Sequence, residues 1–141
     1  MSFPKIIEGG KYSDERGDLF FNNNFNASEV KRIYFIENKN INSIRGWTGH
    51  EVEQRWFSTI QGSFVIRLVQ VDNWNNPNKK AEILEFELSS QSFNILHVPR
   101  GFATAIQAKE DNSKLIVMAD YLMGELKDEY RFEINYFEKL K

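Results

Sequence analysis

Turn-forming residues interrupt this chain so often that no stretch sustains a helical period long enough to pack a layer. Between the turns lie short runs rich in aromatic and β-branched residues: Leu19-Phe20-Phe21, Lys31 to Glu37, Ser43 to His50, Gln54 to Ile60, Phe64 to Val71, Ala81 to Leu88, Phe93 to Val98, Phe102 to Lys109, Lys114 to Tyr121 and Tyr130 to Phe137. Alternation is clear in the run from Phe64, where Phe64, Ile66, Leu68 and Gln70 share one face and Val65, Arg67, Val69 and Val71 the other. About ten short strands with turns roughly every 8 to 12 residues predict an all-β sandwich or barrel of the jelly-roll kind. Asp14 to Asp18 reads as a tight turn, Gln61-Gly62-Ser63 as a hairpin turn, and Asp72 to Lys80 as an exposed loop whose Trp74 folds back on the barrel. Helix is confined to one turn at Ala27-Ser28-Glu29 and one short piece in Gly124 to Glu129. With no repeat and no linker, residues 1–141 are expected to form a single domain.

Composition narrows the partners. The 12 Phe, 5 Tyr and 3 Trp favour half-buried pleated surfaces and so support the β reading. A net charge of −2 without a Lys/Arg-rich run argues against nucleic acid and anionic membrane. Cysteine is absent, which removes disulfides, thiolate metal sites and thiol nucleophiles together. No signal peptide opens the sequence, and no apolar run reaches the roughly 20 residues of a spanning helix, so a cytoplasmic location is expected.

The chemistry gathers at Arg45-Gly46-Trp47-Thr48-Gly49-His50, which leads through Glu53-Gln54 into Arg55-Trp56-Phe57 as a pair of barrel-lining strands. His50 titrates near neutral pH and can act as a base beside a ketone, or can simply line the barrel; Thr48, on the same strand face, cannot act as a base. Glu53 or Gln54 is placed to orient His50. His97, just before Pro99, reads as a packed strand residue. Arg45 suits an anion, because a guanidinium fork matches phosphate geometry. Arg67 points either inward beside Arg45 or outward. Tyr34, Trp47 and Tyr121 stack on a base or sugar, or serve the core; Trp56 is expected in the core.

Four segments resemble the cupin-fold sugar-nucleotide epimerases and ketoisomerases, namely the dTDP-4-dehydrorhamnose 3,5-epimerases and the dTDP-sugar 3,4-ketoisomerases. They are Asp14-Glu15-Arg16-Gly17-Asp18-Leu19-Phe20, Ser43-Ile44-Arg45-Gly46-Trp47, Leu96-His97-Val98-Pro99-Arg100-Gly101-Phe102-Ala103, and Asp120-Tyr121 followed by Glu125. The resemblance implies a single-domain cupin, a double-stranded β-helix, that binds a nucleotide-linked 4-keto sugar in the making of surface polysaccharide or a deoxysugar. It implies a homodimer that lends its N-terminal segment across the interface. Arg16 and Arg45 would hold the diphosphate, while Thr48, Gln54 and Thr104 stand at pocket positions of the fold. His50 would shuttle a proton with Tyr34 or Tyr121 as partner, and no cofactor is needed because the ketone already acidifies the neighbouring carbon.

The departures from that pattern are specific. Thr48 replaces the epimerases' catalytic histidine, Leu122 their tyrosine, and Thr104 a further histidine, while His50 matches the second histidine of the ketoisomerases' His-Ala-His motif. A non-catalytic cupin module that binds a carbohydrate or nucleotide sugar is therefore the alternative reading. Metal-binding cupins place their ligands at positions that are Thr48, His50, Gln54 and Thr104 here; one imidazole, one amide and two hydroxyls make a poor set, and no metal is expected.

Overall fold

The computed structural model describes residues 2–138. Among them the regular structure is entirely strand, and no helix is long and apolar enough to cross a membrane. The strands are β1 (Lys5–Ile7), β2 (Gly10–Asp14), β3 (Gly17–Phe21), β4 (Arg32–Asn38), β5 (Ile44–His50), β6 (Arg55–Gln61), β7 (Ser63–Gln70), β8 (Leu84–Ser89), β9 (Ile95–Val98), β10 (Phe102–Ala108), β11 (Ser113–Ala119) and β12 (Glu129–Arg131). Two five-stranded sheets form, ordered β1-β9-β6-β11-β4 and β12-β5-β10-β7-β8, and β2 with β3 makes a separate hairpin. Every pairing is antiparallel. This is the jelly roll of the cupins.

The two sheets bury one apolar face each against the other. Phe57, Leu96, Leu115 and Val117 from the first sheet meet Phe64, Ile66, Leu68 and Phe102 from the second. Each side chain of this size, fully buried, contributes about 1.5–3 kcal/mol. The even-numbered face of β7 therefore lies inside, as its alternation predicts. Its other face carries a second cluster, where Trp47, Val69, Val71 and Phe137 pack outside the sheet.

Four expectations need correction. Gln61-Gly62-Ser63 is a corner rather than a hairpin, because β6 and β7 belong to different sheets. Gly62 has φ 72°, and a Cβ there would lie 2.1 Å from Ser113 Oγ, so both the turn and the close approach require glycine. Likewise β5 and β6 do not pair; they face each other from opposite sheets. At the C-terminal end only Glu129–Arg131 is strand; Phe132 still exchanges two backbone hydrogen bonds with Trp47, and Tyr136 and Phe137 turn back to pack around that indole. The two segments expected to hold helix, Ala27 to Glu29 and Gly124 to Glu129, form turns and irregular chain up to Asp128, with Glu129 already in β12. Trp74 does fold back, with its ring centroid 4.6 Å from that of Tyr130. Sequence patterning also passed over β1 and β2, which are too short and polar to announce themselves.

One irregularity positions the site. Strict alternation would put Arg45 on the face opposite Thr48 and His50. The β5–β10 register instead shifts: Thr104 pairs with Thr48 and Ala105 with Gly46, skipping Trp47. This bulge turns Arg45 to the interior, while Trp47, next to Thr48, keeps the exterior side that alternation gives it. Gly46 makes the approach feasible, since a Cβ there would lie 2.7 Å from Ala105 Cα.

Candidate functional site

Between the sheets, beyond the apolar core, a polar cavity of about 600 Å³ opens at one end of the barrel. Strand β5 supplies Arg45, Thr48 and His50, β10 supplies Thr104, and β4 supplies Arg32 and Tyr34. Arg55 enters from β6, while Glu129 and Arg131 enter from β12. A second cavity of about 330 Å³ adjoins it, sharing Arg32, His50, Arg55 and Glu129 and adding the apolar lip of Leu122, Met123 and Leu126.

The arginines differ in what occupies them. Arg55 is buried, and its Nη1 donates to Glu53 Oε1 at 2.8 Å. Arg131 pairs with Glu129. Arg45 donates from Nε to Asn38 Oδ1 at 2.9 Å, and Arg32 stacks on the Tyr34 ring at 4.7 Å. Neither Arg32 nor Arg45 has a carboxylate partner among the described residues. Two guanidinium groups without counter-ions face one cavity, a charge and geometry suited to an anion.

His50 is 8% exposed, and its Nδ1 is buried without a hydrogen-bond partner. Burial pushes it below the ordinary histidine range. The Arg55 guanidinium adds to this, against the opposing carboxylates of Glu53, Asp128 and Glu129. Asp128 is the clasp of this corner. Its carboxylate accepts from the backbone N–H groups of Glu51, Val52 and Glu53 at 3.0, 2.9 and 2.8 Å, fixing the connection between His50 and Arg55.

Of the residues singled out in the sequence, Arg45, Thr48, His50, Thr104 and Tyr34 come together on the main cavity. Five do not. Trp47 is packed on the outer face against Phe137. Arg67 also points outward, donating to Glu85 Oε2 at 2.8 Å and Gln107 Oε1 at 2.9 Å. Gln54 turns away to Asp120 and to His97, whose Nε2 lies 2.7 Å from Gln54 Oε1. The Thr48/His50/Gln54/Thr104 metal set is consequently not assembled, and of the two residues placed to orient His50 only Glu53 stays beside it. Arg16 lies on the exposed β2–β3 hairpin, paired with Asp14. Tyr121 sits beyond β11 with Lys31 over its ring. His97 is a packed strand residue, stacked on Trp56 at 5.2 Å.

Sequence reasoning missed Arg32, Arg55, Asp128, Glu129 and Arg131. Two of these were legible by alternation: Arg32 shares a face with Tyr34, and Arg55 with Phe57. Asp128 left no local signal, since its partners lie 75 to 77 residues away.

Comparison with known proteins defines the class first. A mutant of the 3,4-ketoisomerase QdtA from Thermoanaerobacterium thermosaccharolyticum, solved with TDP-4-keto-6-deoxyglucose, matches at 20% identity and TM-score 0.73, over 99% of this chain and 95% of that one. A 3,4-ketoisomerase from Helicobacter canadensis matches at 21% identity and TM-score 0.71, over 95% and 94%. The dTDP-4-dehydrorhamnose 3,5-epimerase of Bacillus anthracis, with TDP and pyrophosphate bound, matches at 16% identity and TM-score 0.74, over 94% and 79%. At these identities the likeness establishes the cupin fold. The family model FdtA (WxcM-like, C-terminal) matches residues 2–141, and the chain belongs to that family. No curated protein matches it.

Proposed function

We propose that this protein binds a nucleotide-linked 4-keto sugar in the main cavity and moves a proton on it, as an isomerase or epimerase in deoxysugar or surface-polysaccharide synthesis. The observation that carries the reading is the juxtaposition of uncompensated Arg32, from β4, with Arg45 and His50, from β5, in one cavity. The arginines hold the diphosphate. His50, neutral and buried, takes the proton from the carbon next to the ketone. The electron pair moves onto the ketone oxygen, and the Arg55 guanidinium offsets the charge that develops there. Thr48 and Thr104 offer hydroxyls to the sugar, and Tyr34 is the tyrosine placed to return a proton. Family membership and the solved ligand complexes of structural relatives support this reading. The chemistry calls for no cofactor.

The alternative, a binding module without catalysis, is favoured by the resemblance, which aligns Thr48 with the epimerases' histidine and Leu122, beside Tyr121, with their tyrosine. Solvent deuterium exchange into TDP-4-keto-6-deoxyglucose separates the two. Exchange above the rate of free sugar that is lost in His50→Gln supports the enzyme. Binding of the sugar with no exchange leaves the module.

A second copy of the chain is proposed as partner. Ile33 and Phe35 are 64% and 61% exposed on β4, an edge strand, and Leu19 is 61% exposed on the hairpin. Apolar surface of this kind on a free edge calls for a cover. Analytical ultracentrifugation should give a dimer that Phe35→Glu dissociates; a monomeric wild type refutes it.

A further inference from the structure

His50, Glu53 and Asp128 each offer one ligand atom, and these atoms lie within 4.8 Å of one another. All three side chains line the smaller cavity, so an ion held between them would keep coordination positions open to it. The carboxylates are already oriented by an outer layer of donors: Asp128 by three backbone N–H groups, Glu53 by Arg55. Such outer contacts aim ligands at a metal and are the usual company of a metal site. Each carboxylate keeps an uncommitted lone pair, because Asp128 Oδ1 accepts one of the bonds and Glu53 Oε1 takes the guanidinium.

A separate observation points the same way. The Nδ1 of His50 is buried and has no partner. Leaving a buried nitrogen unpaired is costly, and a cation that accepts its lone pair would remove that cost. On the imidazole itself the carboxylates of Glu53, Asp128 and Glu129 act against the Arg55 guanidinium, while Arg32 and Lys127 line the rest of the cavity.

We propose that His50, Glu53 and Asp128 form a divalent-cation site opening on the smaller cavity. One imidazole and two carboxylates suit Zn²⁺ or Mn²⁺, with Zn²⁺ the tighter by the usual order of affinities. An ion there takes a lone pair of His50, so occupation and proton removal by that imidazole are alternatives. The site is distinct from the histidine-rich cupin set, of which only His50 is present.

The test uses the full chain stripped with EDTA and titrated calorimetrically with Zn²⁺ and then Mn²⁺. The expected result is one Zn²⁺ per chain, weakened at least tenfold in Glu53→Gln and in His50→Gln. Mn²⁺ should broaden the His50 ring signals in the NMR spectrum before those of His97. Glu53→Gln keeps the Asp128 clasp but strips buried Arg55 of its carboxylate, whereas His50→Gln leaves both in place. A loss of binding shared by the two variants therefore cannot come from a fold defect at Arg55. Absence of stoichiometric Zn²⁺ binding up to millimolar metal overturns the proposal. So does binding that both variants leave unchanged.

Discussion

Replacing Asp128 with alanine removes the acceptor that three consecutive backbone N–H groups share, at 2.8 to 3.0 Å. A bond to a charged acceptor contributes about 1.5–3 kcal/mol, so three would sum to about 4–9 kcal/mol if all were stranded. They are not all stranded. Glu51 and Val52 are exposed and rehydrate, while only Glu53 is half-buried. The expected loss is therefore about 3 kcal/mol. An asparagine in this place retains one carbonyl oxygen, which can keep the pair of bonds from Val52 and Glu53 in neutral form, so Asp128→Asn should lose about half as much. In urea, with a slope of about 1–3 kcal/mol per molar for a domain of this size, the alanine variant's midpoint falls by about 1–3 M at unchanged slope. A loss under 1 kcal/mol for alanine, or equal losses for both variants, refutes the clasp.

Other consequences follow from the same geometry. Gly62→Ala forces a residue with a Cβ into φ 72° against Ser113 and should cost about 1–3 kcal/mol in the same assay. Trp47→Ala empties the outer cluster, not the cavity, so it should cost about 3–5 kcal/mol of stability. Burial, with Lys5, holds His97 below the ordinary histidine range. The unfolded chain then binds the extra proton first, and stability falls as pH drops below about 6.5 towards the folded value. His97→Gln should flatten that part of a melting-temperature profile; an unchanged slope there contradicts the assignment.

The strands were legible because their alternation reports burial directly: the even face of β7 was readable from Phe64, Ile66 and Leu68 alone. What the sequence hid was which strands pair. A glycine between two strands serves a hairpin and a sheet-to-sheet corner equally well, and only the long-range partners Ser113 and Ser89 decide the case at Gly62 and Ser63. The site was half legible for the same reason. Arg45, Thr48 and His50 announced themselves as a cluster in one strand, but the bulge that brings Arg45 inward reverses what simple alternation says about it. Arg67 and Trp47 were drawn in by residue type and excluded by the face they occupy. Glu129 and Arg131 could not be placed, because the aromatic run after them reads as strand when it is in fact the cap over Trp47.

The central claim is that the inner face, with Arg45, receives a nucleotide-linked anion. The direct measurement is a thermal-shift titration with TDP on the wild type, Arg45→Ala and Arg67→Ala. A ligand at 100 times its dissociation constant adds about 2.7 kcal/mol to the native state. The wild type and Arg67→Ala should both gain that stabilisation, and Arg45→Ala should lose most of it. An equal shift in Arg45→Ala, or no shift in the wild type, contradicts the account.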